Sequence, residues 1–393
     1  MKESTKQKLQ TILEKAIADG ELAGGSMLVR KDGEELCYIQ AGMADREEGI
    51  PIARNQIFRL YSMSKPIAGA AAMKLFEDGL IDLGDPVSKY IPTFKNQMVA
   101  EGDKLVPAKR EVTVKDLLDM KSGLIYSGNP GLAGAAVDEV FRQEKERLDS
   151  DNPMTTLEMA SELGKCPLFY QPGSSWKYGT STDVLGAVIE VASGMRFGEY
   201  LEKVFFGPLG MKDTGFFVPM EKRDRLVTPY KCDGQGGLLR MEEGTYNSLS
   251  TMDRYPAYES GGGGLASTAD DYAKFGQMLL NGGELDGVRV LKPETVRFMT
   301  MGALDEHQEK VFALEFANMP GFTYGNQVRV MKYPGRSLSL NNVGEYGWDG
   351  WMGCYFANDP AASMTIIFMM QRADAGLMPV VRRMRNVIMS ELD

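Results

Sequence analysis

The spacing of hydrophobic residues changes character along the chain. From Leu9 to Ile17, apolar residues recur at helical intervals among charged ones, which predicts an amphipathic helix. The next stretch, SMLVRKDGEELCYIQAG, has two β-type runs around an Asp-Gly pair at residues 32–33, and this pair favours a tight hairpin. An antiparallel sheet is therefore expected to begin early in the chain.

Helical patterns dominate the middle of the chain. Residues 62–80, SMSKPIAGAAAMKLFEDGL, combine small and apolar side chains at helical spacing, with Pro66 tolerated in the first turn, so the helix is predicted to begin at Ser62. Further helical segments between about 85 and 300 include VTVKDLLDM, MTTLEMASELG, STDVLGAVIEVASG and TADDYAKFGQMLLNGG. Strand patterns return from residue 321 with FTYGNQVRVM, GWMGCYFAND and ASMTIIFMMQR, followed by a helix near 375–391.

This order predicts an α+β fold in which an antiparallel sheet is flanked by helices. The sheet domain is built from both chain ends, residues 1–75 and 300–393, and residues 76–299 form an inserted, mainly helical domain. Four glycines at 261–264 interrupt that domain. No Lys-Ser or Lys-Thr follows them, so they predict a flexible or tightly packed turn rather than a phosphate loop.

Composition narrows the functional classes. The chain has 393 residues, 43% hydrophobic and 25% charged, as in ordinary globular proteins. Its net charge of -10 and scattered basic residues exclude an electrostatic footprint for nucleic acid. No apolar run is long enough for a membrane span, and the N-terminus lacks a signal-peptide core. Reduced thiols and a cytoplasmic location are expected, because no C-x-x-C pair occurs among Cys37, Cys166, Cys232 and Cys354.

Histidine content restricts the chemistry further. The only histidine, His307, stands in the charged stretch DEHQEK, which is typical of a solvated helix face. A Ser-His-Asp triad would require that residue, no G-x-S-x-G elbow is present, and a histidine-rich metal site is excluded by count. We expect neither a metal nor an organic cofactor.

A serine hydrolase without histidine needs another base, and a lysine of lowered pKa can serve. Ser62 and Lys65 have the required i, i+3 spacing at a predicted helix start. Ser174 and Lys177 have the same spacing but follow Pro-Gly in a predicted turn. Context therefore favours Ser62, although the spacing alone is equally compatible with an ordinary helix cap.

Several motifs then occur in a characteristic order. They are IFRLYSMSKP (57–66), GLIDLGDPV (79–87), VTVKDLL with SGL (112–124), the PG-to-tyrosine segment 172–178, PLGM with DT (208–214), and GGGL with ST (262–268). Together they resemble the class C β-lactamase-like superfamily, which includes family VIII carboxylesterases, D-amino-acid peptidases and penicillin-binding proteins. The resemblance implies a β-lactamase/transpeptidase-like fold.

The resemblance also implies roles for individual residues. Ser62 would be the acylated nucleophile, Lys65 its base, and Tyr178 a proton relay acting as a phenolate or a hydrogen-bonded phenol. An adjacent Lys65 ammonium would lower the pKa of that tyrosine. Without the resemblance, a core aromatic residue with a satisfied hydroxyl is the favoured interpretation of Tyr178.

The family's Lys-Thr-Gly triplet is replaced here by Trp348, Asp349 and Gly350. By resemblance, this segment binds substrate, and the backbone N–H groups of Ser62 and Trp351 form the oxyanion hole. The missing cation disfavours substrates that carry a carboxylate, such as penicillins. Asp349 is either a structural hydrogen-bonding group or an attractor for a substrate amine.

The leading functional hypothesis is a serine hydrolase that forms an acyl-enzyme, specifically a carboxylesterase acting on short-chain esters as small-molecule substrates. Amide chemistry by a D-amino-acid peptidase or a weak β-lactamase, and acyl transfer to an acceptor other than water, stay open. A non-catalytic scaffold is the alternative from another class. The sequence specifies neither the acyl and alcohol groups nor the oligomeric state.

Overall fold

The computed structural model describes residues 1–242 and 252–391. The α-helices are α1 (Glu3–Ala18), α2 (Ser64–Glu77), α3 (Val114–Leu118), α4 (Gly131–Arg147), α5 (Thr156–Lys165), α6 (Ser181–Ser193), α7 (Phe197–Leu201), α8 (Gly207–Leu209), α9 (Ala269–Leu280), α10 (Pro293–Met299), α11 (Glu306–Glu315) and α12 (Pro379–Ser390). The β-strands are β1 (Gly24–Lys31), β2 (Glu34–Asp45), β3 (Ile50–Pro51), β4 (Phe58–Arg59), β5 (Met98–Glu101), β6 (Lys104–Pro107), β7 (Tyr230–Cys232), β8 (Leu238–Arg240), β9 (Ala266–Ser267), β10 (Glu284–Leu285), β11 (Val288–Arg289), β12 (Phe322–Gly325), β13 (Val328–Met331), β14 (Tyr346–Asp349), β15 (Tyr355–Asp359) and β16 (Met364–Met370).

The main sheet has eight strands in the order β12-β13-β14-β15-β16-β1-β2-β3. Its neighbouring strands are antiparallel, and β1 pairs with β16 from Gly25 opposite Met370 to Lys31 opposite Met364. The N-terminal and C-terminal strands are thus joined inside one sheet. This confirms the predicted α+β class.

Two hairpins show how local backbone preferences shape the sheet. Asp32 and Gly33 connect β1 to β2 with φ angles of 53° and 83°, which confirms the predicted tight turn. Asn326 and Gln327 also have positive φ, at 49° and 71°. The continuous strand pattern FTYGNQVRVM is therefore split into β12 and β13, because the chain reverses at these two residues.

The two faces of the sheet are covered by different helices. Alternate residues of β1 face opposite sides: Met27 and Val29 pack in one apolar core with α1 and α12, whereas Leu28 packs in the other. Helix α9 contacts β1, β15 and β16 on the Leu28 side, where Phe275 meets Phe356. Although α9 lies within the range 76–299, it covers the sheet directly; the division of the chain into two domains stays a prediction.

The helical lobe packs around α2 and α6. Helix α6 contacts α2, α3 and α5, and α2 also touches β14 of the sheet. The longest helix, α4, lies outside the segments in which helices were named from the sequence. Its buried positions include Ala133, Gly134 and Glu144, which give a weak apolar stripe.

The structure also bears on the expectations for the glycine run, the cysteines and membrane-spanning helices. The glycine run 261–264 is a buried turn, and a Cβ on Gly261 would lie 2.5 Å from the Thr182 carbonyl oxygen, so the tight-turn prediction is confirmed. All four cysteines are free thiols, and only Cys232 is exposed. Within residues 1–242 and 252–391, no helix is long and apolar enough to cross a membrane.

Candidate active site

The backbone around Ser62 is unusual. Residues Tyr61–Met63 form a short 3-10 turn that continues into α2, and Tyr61 has a φ of 46° in the left-handed region. A bulky residue adopts this conformation only when its surroundings hold it there. The Tyr61 ring packs edge-on against Trp351 at 5.1 Å, so the turn that carries Ser62 is braced against the end of β14.

Lys65 is fully buried one turn after Ser62. Its Nζ donates to Ser62 Oγ at 3.0 Å, to the Tyr126 hydroxyl at 3.1 Å and to the Gly262 carbonyl oxygen at 2.7 Å. Burial lowers the pKa of Lys65 to about 7, and the negative charge of Asp183 partly opposes this. A substantial fraction of the amine is therefore uncharged near neutral pH and can accept a proton.

Tyr178 precedes α6 and lies over Lys65, with 4.6 Å between Nζ and the ring centroid. Its hydroxyl accepts a hydrogen bond from the Trp348 indole Nε1 at 3.0 Å. Burial raises the pKa of Tyr178, while hydrogen bonds with Ser62 and Trp348 lower it in part. The pKa expected from the sequence was a lowered one; because desolvation dominates, the structure corrects this and favours a neutral phenol over a phenolate.

Gly350 marks the end of β14, where the sheet approaches the nucleophile. A Cβ at this position would lie 2.3 Å from the Leu60 carbonyl oxygen, so only glycine fits. The following turn is closed by a hydrogen bond from Gly350 N to the Cys354 carbonyl at 2.7 Å. Among the backbone hydrogen bonds of the described turns, none is donated by Trp351. The assignment of Ser62 and Trp351 N–H groups to an oxyanion hole stays a prediction.

The side chains of Trp348 and Asp349 do not line the cleft beside Ser62. Trp348 is buried with its ring 5.6 Å from that of Tyr178. Asp349 forms a buried ion pair with Arg329, which also donates to the Phe356 carbonyl at 3.0 Å. Burial raises the pKa of Asp349 and Arg329 counteracts it. A substrate contact made by this segment, still a prediction, would have to use its backbone.

Three residues of the site escaped sequence reasoning. Tyr126 follows the SGL motif by two positions. Gly262 belongs to the run interpreted as a turn and to the GGGL motif, neither of which indicates a contact with Lys65. Asp183 has the pattern of an ordinary acidic residue in the first turn of α6. Asp183 is 2% exposed and accepts from Tyr258 OH at 2.7 Å and Ser260 Oγ at 2.6 Å. Its position beside Ser260 and Gly262 depends on a contact between distant parts of the chain, which a local sequence pattern cannot predict.

Ser62 opens into a cleft of about 440 Å³. Its aromatic walls are Tyr61, Tyr126, Phe141, Tyr178, Tyr258 and Trp351. None of the described lining residues is lysine or arginine, and the charged one is Asp183. His307 lies on the exposed side of α11, outside this cleft, and the described residues contain no cluster of three or more His, Cys, Asp or Glu fit for a metal ion.

A family model described as beta-lactamase matches residues 9–386, nearly the whole chain. The chain belongs to the beta-lactamase family. It is similar to an uncharacterised protein of Mycobacterium tuberculosis, with 32% identity over 90% of this chain and 87% of the relative. It is also similar to esterase EstB of Burkholderia gladioli, with 29% identity over 97% of this chain and 94% of the relative.

Two solved structures share the fold of this chain. EstCE1, described as a hydrolase with promiscuous acyltransferase activity, matches with a TM-score of 0.82 and 25% identity, covering 98% of both chains. A family VIII carboxylesterase matches in fold, with a TM-score of 0.71 and 18% identity over 98% of this chain and 97% of that chain. The expected superfamily and the β-lactamase/transpeptidase-like fold are confirmed, and the chain is a serine hydrolase of this family.

Proposed function

We propose that the protein is a carboxylesterase that cleaves uncharged, short-chain esters through an acyl-enzyme on Ser62. One observation carries this proposal: the buried Lys65 amine, with a pKa of about 7, lies 3.0 Å from Ser62 Oγ beside a cleft whose described lining contains no lysine or arginine. The amine supplies a base for the serine. The absence of lysine and arginine from the described lining suits an uncharged substrate.

In acylation, Ser62 Oγ bonds to the ester carbonyl carbon while its proton passes to Lys65 Nζ. The uncharged amine has two N–H bonds, one of which the Gly262 carbonyl accepts, and its lone pair can then be directed at Ser62. The carbonyl π electrons move onto oxygen, and backbone N–H groups of Ser62 and Trp351 would stabilise that charge.

The addition of Ser62 gives a tetrahedral intermediate. When this intermediate collapses, the bond between the carbonyl carbon and the alcohol oxygen breaks. Tyr178, as a neutral phenol hydrogen-bonded to Ser62, donates its proton to the departing alkoxide, and the Lys65 ammonium restores the phenol. A water oxygen then bonds to the acyl carbon while one water proton passes to Lys65 and Tyr178. The bond between that carbon and Ser62 Oγ breaks as Oγ takes this proton, which releases the acid and regenerates Ser62. An alcohol in place of water would give acyl transfer by the same steps.

The charge of the substrate distinguishes uncharged esters from penicillins and peptides as candidates. Penicillins and peptide C-termini carry a carboxylate, which the cleft would place near Asp183 without a compensating cation among its described lining residues. A short acyl or alkoxy group meets aromatic walls instead. The names of EstB and EstCE1 support ester chemistry for relatives of this chain.

Hydrolysis of p-nitrophenyl butyrate by the purified protein tests the proposal. Ser62→Ala should remove turnover, whereas Ser174→Ala, a matched change in the second S-x-x-K sequence, should leave it unchanged. Wild-type turnover in Ser62→Ala would refute the acyl-enzyme on that residue. A p-nitrophenyl hemisuccinate ester, which adds a carboxylate, and a chromogenic cephalosporin should both be poorer substrates; rapid cleavage of the cephalosporin would instead indicate a β-lactamase.

A further inference from the structure

We infer that Asp183 is a positioning residue for this reaction, holding the Lys65 amine on Ser62 through the Gly262 peptide and through its own negative charge. The inference rests on the proposed function of Ser62 and Lys65. Asp183 does not touch Ser62 or Lys65 in any described hydrogen bond, and its influence is exerted across one intervening residue.

The Gly262 backbone connects the two side chains. Its N–H donates to Asp183 Oδ1 at 3.1 Å, and its carbonyl oxygen accepts from Lys65 Nζ at 2.7 Å. Tyr258 OH and Ser260 Oγ donate to the same carboxylate oxygen. Asp183 thereby fixes the loop on both sides of residue 261, and the direction of the Gly262 carbonyl follows from that anchoring.

The loop has little freedom to find another arrangement. A Cβ on Gly262 would lie 2.7 Å from Asp183 Oδ2 and 2.8 Å from the Tyr126 hydroxyl. The loop backbone is therefore pressed against Asp183 and Tyr126 at the point where it meets Lys65. The fixed Gly262 carbonyl accepts a hydrogen bond from one N–H of Lys65. This bond orients the amine so that its lone pair can face Ser62.

The charge of Asp183 needs a separate explanation. The residue is 2% exposed, and its described hydrogen bonds come from Tyr258, Ser260 and Gly262 rather than from a lysine, arginine or histidine. Burying a carboxylate without a cation is costly, although its place in the first turn of α6 offsets part of that cost. Asparagine could accept the same three hydrogen bonds without the penalty. The cation that its charge influences is Lys65, whose pKa it raises.

Other ionisable groups around this pair do not substitute for Asp183. Burial raises the pKa of Tyr126, Tyr178 and Tyr258, so all three are neutral near pH 7. On the side of Tyr178 that faces the sheet, the nearby carboxylate is Asp349, which forms an ion pair with Arg329. Beyond Tyr258, burial raises the pKa of Glu144 to about 8, which leaves that carboxyl largely uncharged at neutral pH.

Asp183→Asn separates charge from anchoring. It keeps an acceptor for the loop but removes the negative charge, so the acid limb of kcat/KM for p-nitrophenyl butyrate should move about one pH unit lower. Glu144→Gln, which neutralises the neighbouring buried acid, should leave that limb in place. Asp183→Ala also removes the loop anchor and should lower kcat by roughly a hundredfold, with KM changed far less.

Circular dichroism and thermal unfolding establish that each variant is folded. A folded, Ser62-dependent Asp183→Asn variant with the wild-type acid limb would overturn the inference while leaving the proposed function intact. If Asp183→Asn does not fold, Tyr258→Phe removes one donor to Asp183 and should lower kcat about fivefold at unchanged KM; an unchanged kcat would then overturn it. Turnover that survives Ser62→Ala would instead refute the proposed function itself.

Discussion

Asp183 and Asp349 are buried carboxylates on opposite sides of the same site, and they have opposite surroundings. Asp349, on the sheet, is paired with Arg329. Asp183, on the helical lobe, receives its described hydrogen bonds from uncharged groups of Tyr258, Ser260 and Gly262. A cation neutralises one charge locally, whereas the other is left to act on its neighbours.

The comparison distinguishes a structural acid from an acid that tunes chemistry. The ion pair between Arg329 and Asp349 joins the neighbouring strands β13 and β14, although the charge of Asp349 still raises the pKa of Tyr178. Asp183 has no such partner among the described residues, and Lys65 experiences its charge. The carboxylate that acts on Lys65 therefore lies on the helical lobe, whereas the carboxylate of the sheet is part of a structural ion pair.

The largest expected effect concerns the cation on the helical side. Lys65→Met should lower kcat/KM for p-nitrophenyl butyrate by roughly a thousandfold, because Ser62 loses its base. The same variant should melt at a higher temperature near pH 7. Burial depresses the pKa of Lys65 in the folded state, so the native protein loses stability as pH falls below the unfolded lysine value, and methionine removes that penalty.

Lys177→Met provides the control, since it changes the lysine of the second S-x-x-K sequence, which pairs with Glu315 at 3.1 Å. That variant should retain activity within about twofold and show no gain in stability. Equal losses of activity in both variants would contradict the special role of Lys65.

On the sheet side, Asp349→Ala should act on stability. It strands the buried Arg329 charge, and we expect a loss of about 3–5 kcal/mol in the free energy of unfolding, measured by urea denaturation. Replacing both partners, as Asp349→Leu with Arg329→Met, should recover much of that loss. If the double variant is no more stable than Asp349→Ala, the stranded-charge explanation is wrong.

The pH dependence of the wild-type enzyme tests the helical side without mutation. Ser62 requires an unprotonated Lys65, so kcat/KM should fall as pH drops below about 7, reaching roughly a hundredfold loss at pH 5. Release of p-nitrophenol can be followed at the wavelength where its two protonation states absorb equally. A flat profile between pH 5 and pH 8 would exclude Lys65 as the base.

The smallest expected effect tests the link between the two sides, where Trp348 of the sheet donates to Tyr178. Trp348→Phe keeps an aromatic ring but removes this hydrogen bond, so kcat should fall about fivefold. Trp176 is the matched control because it is also buried and stacked on Tyr178, while its indole N–H has no described partner. Equal effects of Trp176→Phe and Trp348→Phe would assign the loss to packing alone.

Local patterns were sufficient for the helical face that carries Ser62 and Lys65 and for the hairpin at Asp32-Gly33. Both depend on residues close together in the chain, where spacing fixes proximity. Tyr126 and Gly262 lie 61 and 197 positions from Lys65. No periodicity relates residues so far apart, and their contacts with Lys65 exist only after the lobe has packed.

The role of Trp348 illustrates a different limit. Its place in the Trp348-to-Gly350 segment was recognised by resemblance, but its burial against Tyr178 was not, because the face that a strand residue presents depends on register. Helix α4 was not named because Gly134 and Glu144 weaken its apolar stripe. These positions needed tertiary context, which the sequence pattern alone does not contain.

The pairing of β1 with β16 has a consequence for how the protein is made. Strand β16 pairs with β1 in the middle of the sheet, but it is translated more than 300 residues after β1. While the intervening chain emerges from the ribosome, Met27 and Val29 have neither that strand nor α12 to cover them. The nascent chain must therefore remain unaggregated with an open strand edge, and catalytic competence can arise only after β16 has been synthesised.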